Sequence, residues 1–192
     1  MTVVIIDLDG TIIPSVARKA MKRCCDETGI SPEVLSRAIS NTSELETMNT
    51  NLFKGCMNIF IEEIVKAEPI SETIEALKSL PSDVPIIISS RAPEKAIEWW
   101  LKRNNLEVFL HFGRGDGEKK LHIIKALMRT GEYKRVIFVA NEPSDFNIDE
   151  VTNGIEVKKI AVNVNPNHRF PKGTCVYTGP LTKRILSEAI GG

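Results

Sequence analysis

The first nine residues place two carboxylates at the end of a run of apolar, mostly β-branched side chains. Residues 2–6 read Thr-Val-Val-Ile-Ile, and Asp7 and Asp9 follow before Gly10 and Thr11 break the pattern. A nearly continuous apolar run of this length is typical of a strand that is buried on both faces of a parallel sheet. Two carboxylates that repel each other at the end of such a strand indicate a chemical role for both.

Four further apolar runs resemble the first and alternate with helical patterns. The runs span 84–90, 108–112, 135–141 and 157–164. Between them, residues 94–103 and 119–129 carry apolar side chains at the i, i+3, i+4 spacing of an amphipathic helix. Strands that alternate with helices predict a doubly wound α/β fold with a mainly parallel sheet.

The long interval between the first two runs contains helical patterns and no strand candidate. The patterns span 15–29, 31–40, 51–66 and 71–80. Ser31 and Pro32 are typical of a helix N-cap and the first helical position. Because one crossover helix needs far fewer residues, most of the interval exceeds what the sheet requires. We therefore predict an α/β core of residues 1–14 and 68–192, with a helical cap of residues 15–67 inserted in it.

Composition argues against some classes of function. The chain of 192 residues is 42% hydrophobic, which suffices for a substantial core, and its 25 basic and 25 acidic residues balance. No net field therefore attracts nucleic acid or a membrane, and no segment approaches the roughly 20 apolar residues of a membrane helix. Because a strand starts at once, without a basic and apolar leader, we expect a cytoplasmic protein.

The cysteines and histidines match no pattern for metal binding or for a disulfide framework. Cys24 and Cys25 are adjacent, Cys56 and Cys175 lie far along the chain, and the three histidines fit no zinc spacing. We expect all of these side chains to serve packing or the surface.

Candidate functional groups follow the strands, because open α/β sheets bind ligands beyond the carboxyl ends of their strands. They are Ser89, Ser90 and Arg91 after the second run, Asn141, Glu142, Ser144 and Asp145 after the fourth, and Lys119 and Lys120 in the helix before the fourth. Carboxylates, a hydroxyl and a lysine gathered at one edge suit a divalent metal ion together with a phosphate group.

These residues resemble the four motifs of the haloacid dehalogenase-like (HAD) superfamily. Residues 7–11 match the first motif, DxDGT, while Ser89 and Lys120 match the second and third. The fourth motif, usually GDxxxD, keeps its spacing in residues 140–145 but has Asn141 in place of the first acid. The resemblance implies a Rossmann-like core with a helical cap between the first and second strands.

The resemblance also implies a phosphatase that works through an aspartyl-phosphate. Asp7 would attack phosphorus, while Asp9 would protonate the leaving oxygen and then activate water. Ser89 and Lys120 would bind the phosphoryl oxygens. The implied ligands of a Mg²⁺ ion are Asp7, the Asp9 carbonyl, Asn141 and Asp145. The residues expected around the substrate are Gly10, Thr11, Ser90 and Arg91.

The cap favours a small phosphorylated metabolite as substrate, because a lid excludes phosphoproteins. The identity of the metabolite and the oligomeric state stay open. Two other functions compete with the phosphatase. One is a catalytically weak module that binds a phosphorylated ligand, which Asn141 favours. The other is a metal-free haloacid dehalogenase, which Asn141 favours mildly and Asp9 disfavours, because displacement of halide from carbon needs no acid.

Several site residues also have a purely structural alternative. Ser89 and Ser90 could cap the next helix, and Asp145 could cap a helix that begins there. Lys119 competes with Lys120, which is preferred because Ile123, Ile124 and Leu127 follow it at +3, +4 and +7 on one helical stripe. Arg91 and Arg114 could reach substrate, although solvent is the simpler expectation for an arginine.

Overall fold

The computed structural model describes residues 1–40, 50–113, 117–146, 148 and 154–191. Its strands are β1 (Thr2–Ile6), β2 (Ile86–Ser89), β3 (Leu110–Phe112), β4 (Arg135–Ala140), β5 (Glu156–Ala161) and β6 (Thr174–Val176). Its α-helices are α1 (Ala17–Thr28), α2 (Pro32–Ser40), α3 (Thr50–Lys66), α4 (Ser71–Lys78), α5 (Glu94–Asn104), α6 (Gly117–Thr130) and α7 (Lys183–Gly191). A short 3-10 helix spans Pro143–Phe146.

The six strands form one parallel sheet in the order β3-β2-β1-β4-β5-β6. This order reverses direction at β1, where doubly wound folds bind their ligands. The predicted α/β fold is therefore confirmed, and each of the five apolar runs overlaps one strand. The edge strand β6 was not predicted, because a strand of three residues is too short to form a recognisable apolar run.

Alternate residues of the strands feed two separate hydrophobic cores, one on each face of the sheet. From β1, Val4 and Ile6 belong to the core beneath α4, α5 and α7, whereas Val3 and Ile5 belong to the core beneath α6. Ile124 is the fully buried contribution of α6 to that second core. Burial on both faces explains why the apolar runs do not alternate with polar residues.

The helices α1, α2 and α3 share a small apolar cluster of their own. Its buried members are Ala20, Cys24, Leu35, Cys56 and Ile59. The far end of the insert is fastened to the core, because the Trp100 indole N–H donates to the carbonyl of Ala67 at 2.9 Å. Arg103 of α5 makes a second such contact, because its guanidinium donates to the carbonyl of Val65, in the last turn of α3, at 2.5 Å. The division into a core and a cap at residues 15–67 stays a prediction.

Two cysteines correct the sequence-based expectation. Cys24 on α1 and Cys56 on α3 form a disulfide whose Cα atoms are 5.2 Å apart. Both residues are almost fully buried, so they do pack as expected. They also cross-link α1 and α3, although the two cysteines are 32 residues apart in sequence. Sequence spacing could not reveal the pair, because only the packing of α1 on α3 brings the two side chains together. Cys25 and Cys175 are free.

Among the described residues, none of the helices is both long enough and apolar enough to cross a bilayer.

The disulfide predicts a redox-dependent stability. Reduction should lower the free energy of unfolding by about 2 to 4 kcal/mol, because a cross-link restricts the unfolded chain. Urea titrations of the oxidised and the reduced protein measure the difference. The control is Cys175→Ser, which removes an exposed free thiol and should leave the difference unchanged. Equal unfolding free energies with and without reductant would show that the two cysteines contribute no cross-link.

Candidate active site

Asp7 lies at the carboxyl edge of the sheet between two neighbouring strands. The parallel ladder continues through it, because its backbone N–H donates to the carbonyl of Val139 at 2.9 Å. Ile6 pairs with Ile88 on one side and with Val139 on the other. The next step of each register sets Asp7 beside Ser89 and beside the last residue of β4. Asp7 is only 8% exposed, so its carboxylate is held in a largely water-excluded position.

The two serines after β2 differ in what their hydroxyls do. Ser89 is fully buried, and its Oγ has no hydrogen-bond partner among the described residues. Ser90 Oγ instead accepts a hydrogen bond from the backbone N–H of Ala92 at 3.3 Å. Neither serine caps α5, because Pro93 is its N-cap and no side chain caps the helix, but the Ser90 hydroxyl organises the turn before it. Ser89 has the hydroxyl available for a ligand.

A tight turn after β1 carries the rest of the first motif. The carbonyl of Leu8 accepts hydrogen bonds from the backbone N–H groups of Thr11, Ile12 and Ile13 at 2.9 to 3.2 Å. Gly10 adopts a φ of 81°, a left-handed conformation that other residues adopt only under strain. A Cβ at Gly10 would also collide with the side-chain amide of Asn141. Glycine is therefore required here by backbone conformation and by packing together.

The end of β4 supplies an amide and a buried acid. Asn141 Oδ1 is buried and has no hydrogen-bond partner among the described residues. Asp145 is 5% exposed and lies in the 3-10 helix, where its backbone N–H donates to the carbonyl of Glu142 at 3.1 Å. The Glu142 carboxylate lies 3.4 Å from Nδ1 of His168.

Asp9 connects the site to the first helix of the insert. Its Oδ1 accepts a hydrogen bond from the backbone N–H of Val16 at 2.7 Å, immediately before α1. Burial nevertheless raises the pKa of the Asp9 carboxyl above its ordinary value. The hydrogen bonds from the Val16 and Ala17 amides and the charge of Arg91 lower this pKa, and the charge of Glu142 raises it. Desolvation is the largest effect and sets the direction.

Asn163 is a contact of the first motif that sequence reasoning missed. Its Nδ2 donates to the carbonyl oxygen of Gly10 at 3.1 Å. The predicted fifth strand ran to residue 164, which placed Asn163 inside it, whereas β5 ends at Ala161. With the observed boundary, Asn163 is the first polar side chain beyond the strand. The rule that identified Ser89 and Asn141 would then have identified it as well.

The structure describes some of the remaining predicted site residues and not others. Thr11 is fully buried, and its Oγ1 has no hydrogen-bond partner among the described residues. Arg91 is exposed and close enough to act on the Asp9 charge. Lys119 and Lys120 lie in the first turn of α6, but their side chains are outside the described residues, as is all of Arg114. The choice between the two lysines stays a prediction.

The donor atoms at this edge fit a hard divalent cation. Asp7 and Asp145 offer buried carboxylates, and Asn141 Oδ1 is a buried oxygen with no hydrogen-bond partner in the described part of the chain. An all-oxygen set of this kind suits Mg²⁺ rather than a softer metal. Within the described residues, no three His, Cys, Asp or Glu side chains form a group that could hold a metal by themselves.

The chain is similar in structure to HAD-like hydrolases. A putative phosphoglycolate phosphatase from Lactobacillus plantarum aligns at a TM-score of 0.62 and 14% identity, over 98% of this chain and all of its own. A 2-haloacid dehalogenase from Pseudomonas syringae pv. Tomato DC3000 aligns at 0.61 and 16%, over 100% and 98%. A haloacid dehalogenase-like hydrolase from Streptococcus pneumoniae aligns at 0.56 and 18%, over 84% of each chain.

No protein-family model and no curated protein matches the sequence. At identities below one fifth, the structural similarities show that the chain has the HAD-like fold, and they do not choose between phosphatase and dehalogenase.

The contact between Gly10 and Asn141 predicts a stability loss. Gly10→Ala should lower the free energy of unfolding by about 1 to 3 kcal/mol more than Gly29→Ala, because the new methyl group collides with the Asn141 amide. Gly29 is the matched control, since its φ of 71° is similar and a Cβ there meets nothing within 4 Å. Urea denaturation measures both. Equal losses would mean that only the backbone strain matters.

The two charges near Asp9 predict opposite pKa shifts. Arg91→Gln should raise the pKa of the Asp9 carboxyl further, because a cation that favours the ionised form is lost. Glu142→Gln should lower it, because a repelling anion is lost. A ¹³C NMR titration of the carboxyl group in the free protein measures both changes. Shifts of the same sign would contradict the placement of one of the two charges.

Stability should follow the same titration. The folded state retains the Asp9 proton at pH values where the unfolded state has released it. The free energy of unfolding therefore falls as the pH rises from the ordinary pKa through the raised one. Asp9→Asn, which keeps an oxygen for the Val16 amide, should remove this loss and stabilise the protein at neutral pH.

Proposed function

We propose that this protein is a Mg²⁺-dependent phosphohydrolase that acts on a small phosphorylated metabolite. The observation that carries the proposal is the pair of carboxylates on one turn. Asp7 is buried at the sheet edge, and burial raises the pKa of Asp9, two residues later. A carboxyl that keeps its proton above the ordinary pH range suits a general acid, and a carboxylate beside it at the sheet edge suits a nucleophile.

The proposed reaction has two steps. In the first, the Asp7 carboxylate attacks phosphorus, the ester bond to the leaving oxygen breaks, and protonated Asp9 gives its proton to that oxygen. In the second, ionised Asp9 takes a proton from water, and the resulting hydroxide attacks phosphorus and releases Asp7 and inorganic phosphate. Asp9 thus ends protonated again, with a proton from water in place of the one that left with the alcohol, and atoms and charge balance over the cycle.

Buried polar groups support binding of the phosphoryl oxygens. Ser89 Oγ is buried beside Asp7 in the register and can donate a hydrogen bond. Lys120 lies four residues before Ile124, the helix residue that packs on the same face of the sheet as Ile5. We therefore assign Lys120, rather than Lys119, the role of neutralising Asp7 and the phosphate together.

A divalent cation would be held by Asp7, the Asp9 carbonyl, Asp145 and Asn141. When bound, Mg²⁺ would screen the repulsion between the attacking carboxylate and the anionic ester. Asn141 brings an oxygen without a charge, so we expect a weak metal site. Asp9 still separates this proposal from a metal-free dehalogenase, whose single nucleophile needs no acid partner.

The insert has the connections of a lid. Its first linker is bound to Asp9 through Val16, and its return linker pairs with the first where the N–H of Ile70 donates to the carbonyl of Ile12 at 2.8 Å. We propose that the insert covers the site as a lid, joined to the core through these two adjacent linkers. Closure would exclude water and bulky substrates, which favours a small metabolite.

The nucleophile assignment gives the test of the function. Wild-type protein should release phosphate from at least one member of a panel of small phosphorylated metabolites when Mg²⁺ is present. Asp7→Asn should lower the rate at least about a thousandfold, because an amide is a near-isostere but a far weaker nucleophile. Wild-type turnover in Asp7→Asn, with an intact fold by circular dichroism, would overturn the mechanism. If 2-haloacids are turned over and no phosphate ester is, the protein is a dehalogenase.

The amide in the metal site gives a second test. Asn141→Asp should tighten Mg²⁺ binding by roughly tenfold, about 1.4 kcal/mol, because it restores a charged ligand. Calorimetric titration of both proteins measures this without any turnover. Wild-type protein that binds no Mg²⁺ at tens of millimolar, beside a variant that does, would identify a binding module instead of an enzyme. Tight binding in both would mean that another residue holds the metal.

A further inference from the structure

The first-motif turn is held by a side chain from the other half of the sheet. Asn163 Nδ2 donates to the Gly10 carbonyl at 3.1 Å, although the two residues lie 153 positions apart in sequence. The contact links the loop after β5 to the loop after β1. Since β4 lies between those strands, the hydrogen bond spans the edge of the sheet at which Asn141 and Asp145 also lie.

Asn163 is itself fixed in an uncommon backbone conformation. Its φ is 50°, and among the described residues the one other non-glycine with positive φ is Asn105. Asn105 ends α5 and caps it through backbone hydrogen bonds, so a helix end accounts for its conformation. Asn163 ends no helix. Its N–H donates to the carbonyl of Gly179 at 2.9 Å, and the preceding N–H, of Val162, donates to β4 at 3.0 Å.

These hydrogen bonds hold the backbone of Asn163 in the conformation from which its amide reaches Gly10. A left-handed conformation in a non-glycine residue is retained when the surrounding structure enforces it, and such residues concentrate at functional sites. Asparagine fits because its short amide tolerates the conformation and supplies an N–H donor. Aspartate has the same shape, but its carboxylate would face the Gly10 carbonyl with no proton to donate.

Gly10 is consequently held in place by two contacts. The Asn141 side chain lies against its Cα, and Asn163 binds its carbonyl oxygen. The peptide units on either side of Gly10 set the directions of the Asp9 carbonyl, the Asp9 side chain and the backbone of Thr11. A turn with a glycine at its centre has little stiffness of its own. The fixed points must therefore come from the neighbouring strands.

We propose that Asn163 is a positioning residue, whose amide orients the turn that carries Asp7 and Asp9. As a contribution to catalysis the proposal rests on the phosphohydrolase function proposed above. It predicts that loss of this amide lowers kcat and leaves substrate binding nearly unchanged, because the reacting groups are displaced while the pocket persists. A displacement of about 1 Å can lower a rate by up to a hundredfold.

The decisive variant is Asn163→Gly, with Asn105→Gly as its matched control. Both replace an asparagine of positive φ by the residue best suited to that conformation, so backbone strain is relieved equally. Only Asn163→Gly removes a hydrogen bond to the first motif. We expect a roughly tenfold to hundredfold loss of kcat in Asn163→Gly, with KM within about twofold of wild type. Asn105→Gly should keep wild-type kcat and KM.

Stability measurements separate positioning from a structural role. Urea denaturation should show Asn163→Gly to be fully folded under assay conditions, so the lost rate cannot come from unfolded protein. Asn163→Asp should resemble Asn163→Gly in kcat, because it also lacks the donor. Wild-type kcat in Asn163→Gly would overturn the proposal, and so would a rate loss no larger than its unfolded fraction explains.

A measurement without turnover keeps the proposal apart from the proposed function. In ¹⁵N and ¹³C NMR spectra of the free protein, Asn163→Gly should shift the backbone amide signals of Gly10 and Thr11 and the carboxyl signal of Asp9. Asn105→Gly should leave all three in place. If wild-type protein hydrolyses no phosphate ester but these shifts occur, the phosphohydrolase function fails and the positioning contact stands. If the signals do not move, the positioning proposal fails, whatever the reaction.

Discussion

The hydrogen-bond ladders on both sides of β1 are the interaction on which the rest of the structure depends. Because β2 and β4 flank β1 in parallel, three chain segments that are distant in sequence end at the same edge. Their ends deliver Asp7, Ser89 and Asn141 with no further folding step. The buried apolar residues of the three strands stabilise this edge. Its polar groups would not assemble by mutual attraction, because the carboxylates of Asp7 and Asp9 repel each other.

Much of this framework could be predicted from the sequence because it depends on local patterns. Continuous apolar runs identify strands buried on both faces, and the first motif identifies the turn after β1. Register and long-range contacts leave no local signal. The disulfide of Cys24 with Cys56 needed the packing of two helices, and the contact of Asn163 with Gly10 needed a strand boundary corrected by three residues. Short edge strands such as β6 have too few residues to show an apolar run or an alternating pattern.

Asp9 shows how one carboxylate can serve structure and chemistry together. The hydrogen bond from Val16 ties it to the start of α1, so the proposed general acid also marks where the predicted insert leaves the sheet. Its burial raises the pKa and weakens the ionised protein, while the backbone amides offset part of that cost. A residue with only a structural role could be asparagine at this position. A carboxylate with a raised pKa at this position therefore supports the proposed role in proton transfer.

Two asparagines frame the first motif, and both act without charge. Asn141 stands where the fourth motif usually has an acid, so this position adds no negative charge to an edge that already holds Asp7, Asp9 and Asp145. With one carboxylate fewer, the acids at this edge repel one another less, which favours folding without a metal. The same missing charge lowers the attraction of this edge for a cation. Asn163 fixes the turn through a neutral hydrogen bond, which orients Gly10 without altering that balance. Two side chains that follow β4 and β5 thus hold the first-motif turn through contacts that involve no ion.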